Sequence, residues 1–92
     1  MVRTWGAETA RRLGRVLHQL EAAETLAEMA TLPQLRCHEL QGDRDGQISL
    51  DLTHPLRLIV EVAMDPVPRK VDGGLDWSQV SAVIVVEVAD TH

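Results

Sequence analysis

Apolar side chains recur along this chain with two different periods, and the change from one to the other divides it. From Gly6 to about Ala23 they fall at Ala10, Leu13, Val16, Leu17 and Leu20, the i, i+3, i+4, i+7 spacing of a helix with one buried stripe. Arg11, Arg15 and His18 gather on another face, as a solvated surface or as a contact for a polyanion. Thr25 followed by Glu28 matches a capping box, in which each side chain satisfies a backbone N–H. It predicts a short second helix from Leu26 to about Thr31, stopped by Pro33.

From Gln34 the period becomes two. The stretch "QLRCHELQ" predicts a first strand, and "GDRDG" a turn whose Asp45-Gly46 pair suits a left-handed backbone. In "QISLDL", Ile48, Leu50 and Leu52 face one way, with Gln47, Ser49 and Asp51 facing the other. "THP" makes the next turn. In "LRLIVEVA", Leu56, Leu58, Val60 and Val62 face a core, leaving Arg57, Ile59 and Glu61 on the opposite face. Residues 64–79 read as a long loop with a helical turn near Trp77. "VSAVIVVEVA" is apolar on both faces, which predicts a last strand in the middle of the sheet. The expected architecture is therefore α+β, a single domain over residues 1–92. Two N-terminal helices pack on one face of a mainly antiparallel four-stranded sheet.

Composition narrows the picture. Ninety-two residues hold one core. The hydrophobic share of 45% is reached with no Phe, no Tyr and only Trp5 and Trp77 as aromatics, so Leu, Val, Ile and Ala must build that core. Cys37 is the only cysteine, which excludes an intramolecular disulfide. No apolar run reaches the roughly 18 residues of a membrane span, and the N-terminus lacks a signal-peptide core. A soluble cytoplasmic protein with no membrane partner is expected.

Charge is unevenly placed. Residues 1–20 carry four arginines against Glu8, a balance of +3, and residues 21–92 carry five cations against thirteen acids, a balance of −8, giving −5 overall. Such a chain does not bind polyphosphate through a broadly basic surface. Any polyanion contact must use the first helix or a few placed arginines.

Phosphate-loop, dinucleotide-binding, nucleophile-elbow and zinc-protease signatures are all missing. Cys37, His38, His54 and His92 match no zinc spacing, so no metal or other cofactor is expected. One constellation has a chemical logic. Metal-free RNA cleavage needs a base for the 2′-hydroxyl, an acid for the leaving 5′-oxygen and cations for the phosphate. His92 titrates near neutral pH and suits either proton role. Asp90 can orient it, and Arg57 and Arg44 supply forks for phosphate oxygens. Arg57, Arg44 and the Asp90–His92 tail are expected to converge on the sheet face that the helices leave uncovered.

Three segments together resemble a known family: "WGAETARRLGRVLHQLEAAETLAEM", "HELQGDRDGQISLDLTHPLRLIVEV" and "PVPRKVDGGLDWSQVSAVIVVEVADTH". They are similar to the HigB branch of RelE-like toxins of type II toxin–antitoxin systems, in the subgroup called plasmid maintenance killer or killer suppression protein. That subgroup shows an "HELKGDRKGQ" hairpin, an "HPYRLIFEP" strand, a "PVPRKxDGG" loop and a "VVDYH" end. The resemblance implies a RelE-like fold and metal-independent endonuclease cleavage of mRNA on the ribosome. It also implies neutralisation by a HigA-like helix-turn-helix antitoxin. Carried over by position, His92 and Asp90 correspond to the "DYH" end, Arg57 to the "YR" strand and Arg44 to the "GDR" turn. His92 would then move the proton, Asp90 orient it, Arg57 clamp phosphate and Arg44 contact RNA.

Departures from that pattern are informative. Thr91 stands where the family has tyrosine, Gln41 and Asp45 where it has lysines, and Leu56 where it has another tyrosine. Two cations, a stacking ring and a phenol are lost, which points to an attenuated or inactive member. The alternative reading is a catalytically inactive toxin fold that binds an antitoxin or regulates transcription within that complex. A ParE-like action on gyrase is a third. Family chains also begin with a strand before the first helix, and this one begins at the helix. Either the start codon is assigned too late or the edge strand is missing; in the second case the sheet exposes unpaired backbone, and pairing with a partner or with a second copy as a homodimer is expected.

Overall fold

The computed structural model describes residues 6–40, 42, 46–53 and 55–90. Helix α1 runs over Ala7–Ala22 and buries Thr9 and Val16. Leu13 and Leu20 pack partly against the core from the same helix. The Thr9 hydroxyl donates to the Thr53 hydroxyl at 2.7 Å, which ties the start of α1 to the far end of the sheet. Helix α2, Leu26–Ala30, begins with the capping box anticipated from Thr25 and Glu28. The Glu28 carboxylate accepts from the backbone N–H of Thr25 at 3.0 Å and also from that of Glu24.

Four strands follow among the described residues: β1 (His38–Glu39), β2 (Gln47–Asp51), β3 (Leu56–Val62) and β4 (Val83–Asp90). They form one antiparallel sheet in the order β1-β2-β3-β4, a meander in which each strand pairs with the next. Helices therefore pack with a four-stranded antiparallel sheet, an α+β arrangement. Leu50 lies opposite Leu58 and Ile48 opposite Val60, so β2 and β3 present one apolar face. That face meets Val16, Leu26, Met29 and Leu35 from the helical side, and Leu75 and Val80 close the core from the connection before β4. Gly46, at φ 91°, takes the left-handed backbone at the entry to β2, which glycine adopts without a Cβ clash.

Two expectations are corrected. The segment "QLRCHELQ" is not one strand. Pro33–Leu35 forms a 3-10 turn, and Arg36 adopts a left-handed backbone at φ 44°. Strand pairing with β2 is confined to His38–Glu39, followed by one bond from the Leu40 N–H to the Gln47 carbonyl at 2.9 Å. Leu35 is fully buried in that turn, and its tertiary contact outweighs the local alternation. The second correction concerns the last strand. Its apolar run suggested the middle of the sheet, but consecutive hairpin order places β4 at an edge among the described strands.

The connection from β3 to β4 is held at several points. Arg69 bridges to Leu75, and Lys70 and Gly74 close a turn through a 2.7 Å backbone bond. The expected helical turn occurs at Trp77–Gln79, where the Asp76 carboxylate accepts from the Ser78 backbone. The Trp77 indole N–H donates to the Glu39 carboxylate at 3.1 Å, which fastens the connection to β1. The Leu26 backbone N–H donates to Val80 at 2.8 Å and anchors α2 beside the start of β4.

Leu58 has no accessible surface and sits between β2 and β4. Leu58→Ala is expected to destabilise the fold by about 2–5 kcal/mol. The exposed Val71→Ala is expected to stay within about 0.5 kcal/mol. Urea unfolding of both variants measures the contrast.

Candidate functional site

Sheet register decides which side chains share the face opposite the core. One row across that face is His38, Ser49, Ile59 and Glu87, each opposite the next. The neighbouring row is Asp51, Arg57 and Ala89. A third holds Gln47, Glu61 and Ile84. Ser49 and Ile59 are nevertheless fully buried at the centre. Access from this side is therefore limited to the surrounding rows.

The charged chemistry of the face centres on Asp51. Its Oδ1 lies 3.5 Å from Arg57 Nε, with the two side chains 21% and 30% exposed. Its Oδ2 lies 3.8 Å from Nε of the more open Arg36. Both distances exceed that of a short charge-assisted hydrogen bond, and Oδ1 is buried without a hydrogen-bond partner among the described residues. One carboxylate is thus shared loosely by two guanidinium groups. A phosphate could compete for either fork, but must displace an existing attraction.

The four residues singled out from the sequence are distributed unequally. Arg57 stands on the face opposite the core, as its strand pattern required. Asp90 pairs with Leu56, whose neighbour in alternation is the core-facing Leu58, so Asp90 projects from the other face of the sheet end. The two side chains are not brought to one face. Arg44 and His92 lie outside the described residues, as do Gln41, Asp45, His54 and Thr91.

A second surface was not singled out from the sequence. On β4, Ile84, Val85 and Val86 are 57%, 47% and 42% exposed. A bulge accompanies them: Ile59 pairs with Glu87 and Val60 with Val85, so Val86 is the extra residue. Beside this edge a groove of about 470 Å³ opens between the end of α1, α2 and the start of β4. Its walls include Leu17, Leu20, Val80, Val83 and Val85, with Glu21 and Glu24 at its charged end. A sequence signal for it existed. Glu21 occupies the last turn of α1, which has no basic residue, although helix C-termini favour cations.

Comparison of the chain with known protein families, with curated proteins and with solved structures returned no match. No helix among the described residues is long and apolar enough to cross a membrane.

Two measurements follow from the surroundings of Ser49 and of Cys37, which packs against the core. The Ser49 hydroxyl is buried without a hydrogen-bond partner among the described residues, and such burial carries an uncompensated desolvation cost. Ser49→Ala is expected to raise stability by about 1 kcal/mol in urea unfolding. Cys37 contacts the Met29 carbonyl through its Sγ at 3.6 Å. Burial pushes its thiol up from 9.0 to about 11; a backbone hydrogen bond opposes this, and the Asp51 charge adds to it. The unfolded thiol ionises first, so between pH 9 and about 11 the folded chain binds more protons and this contribution to stability is lost as pH rises. Unfolding of wild type and Cys37→Ser across that range should show the steeper decline in wild type.

Proposed function

We propose that this chain is the toxin component of a type II toxin–antitoxin module of the HigB/RelE-like kind. It acts on ribosome-bound mRNA as a metal-independent endonuclease and is neutralised by a HigA-like helix-turn-helix antitoxin. The observation that carries this reading is Arg57, half-buried near the start of β3 on the face opposite the core, with Arg36 drawn to the same carboxylate. A guanidinium fork there meets the charge that develops on phosphate during attack by a 2′-hydroxyl. His92 exchanges the proton, and Asp90 and Arg44 act in orientation and RNA contact. Ribosomal substrate implies a cytoplasmic location.

A second reading is a toxin fold that has lost its chemistry and retains antitoxin binding. The ion pair of Arg57 with Asp51 favours it, because the carboxylate offsets the cation that the phosphate needs. The acidic balance of the chain favours it as well.

Cleavage of mRNA on programmed ribosomes separates the two. The nuclease reading expects cutting by wild type, with a loss on the order of 100-fold for Arg57→Ala or His92→Ala. A folded wild-type chain that leaves mRNA intact selects the binding module.

A further inference from the structure

We infer that the outer edge of β4, together with the groove beside it, docks an extended apolar segment of another protein that carries a lysine or arginine. The inference concerns a surface apart from the Asp51–Arg57 ion pair and does not depend on whether the chain cuts RNA.

The edge is the first ground. Strand β4 pairs with β3 on one side, and among the described residues no strand lies on the other. Edges in stable monomers are commonly guarded by charged side chains, a proline, a bulge or short length. Val83–Asp90 is eight residues long without lysine or proline, and its guards, the bulge at Val86 and the charges of Glu87 and Asp90, all lie beyond Val85. Three consecutive apolar side chains, Ile84–Val86, stand exposed on it. An added strand would pair along the outer side of Val83–Val85 and cover the exposed side chains beside it.

The groove is the second ground, because it fixes the chemistry of the occupant. It runs along the start of the same strand and offers about 470 Å³, enough for side chains projecting from an extended segment. Leu17 and Leu20 face Val83 and Val85 across it. Glu21 and Glu24 line it, and its lining contains no lysine or arginine. Both acids sit where α1 ends at Ala22, so the negative end of the helix dipole adds to their charge. Glu61, exposed opposite Ile84, extends the negative character to the other face. A cationic side chain on the incoming segment would relieve this concentration of like charge. A second copy would bring the same acids and a net charge of −5, so a partner of opposite charge is favoured over self-pairing.

The test uses the full chain panned against a randomised twelve-residue peptide library, followed by titration of the enriched peptides. Expected is enrichment of peptides that alternate Val, Ile, Leu or Thr and contain Lys or Arg. Their binding should slow amide exchange along Val83–Asp90. The Glu21→Lys/Glu24→Lys double variant should weaken binding at least tenfold, and Val85→Lys should do the same. Val71→Lys, on the connection fastened to β1, should leave it unchanged. Failure to enrich any peptide, or enrichment of acidic ones, would overturn the inference. So would binding insensitive to the groove variants. Dimerisation of the chain through Val83–Asp90 would overturn it too, by assigning the edge to a second copy.

Discussion

Pairing of Leu56–Val62 with its two neighbours is the interaction on which the other parts of this molecule depend. Strand β3 is bonded to β2 on one side and to β4 on the other. Leu58, Ile59 and Val60 on it have no accessible surface. A chain without phenylalanine or tyrosine cannot fill its core with a few large rings. It relies on many small branched contacts, and those need strands held in register before they can interdigitate. The helices and the connection before β4 add the other half of the core. Thr9 with Thr53 ties α1 to the turn after β2, Trp77 with Glu39 ties the connection to β1, and Leu26 with Val80 ties α2 to the connection.

Placing β3 at the interior has a consequence at the margin. A meander has two edges, and here the long one is β4. Its inner side completes the β3 pairing, and its outer side leaves Ile84, Val85 and Val86 in solvent. The most apolar strand is thus also the least covered. The groove opens on the helical side of the sheet, whereas Ile84 of the same edge shares the face of Arg57. A partner could engage the edge without displacing the Asp51 ion pairs.

Elements with a strong local signal were legible from the chain alone. The α1 helix, the Thr25–Glu28 box, the alternation of β2 and β3 and the turn near Trp77 all carry that signal and are found, although Ala10 and Leu17 of the expected α1 stripe are exposed and Thr9 is buried in their stead. What escaped depends on tertiary context. An apolar run reads the same in a central strand as in an unguarded edge, so the position of β4 was hidden until strand order was known. Residues 34–41 alternate like a strand, but Leu35 gains more from burial in a 3-10 turn than from pairing. For the candidate site, alternation placed Arg57 on the face opposite the core. The opposite placement of Asp90 follows from its register with Leu56, which one strand's sequence does not reveal. The ion pair of Arg57 with Asp51 likewise arises across two strands.

The most direct measurement is native-state hydrogen exchange of the isolated chain at low concentration, resolved by residue. The central claim is that β3 is the doubly paired strand and β4 an open edge. It predicts strong protection throughout Leu58–Val60 and, along Val83–Asp90, alternation between protected amides bonded to β3 and rapidly exchanging amides facing outward. Uniform protection of Val83–Asp90 in a monomeric sample would contradict it, because the outer side of β4 would then already be covered.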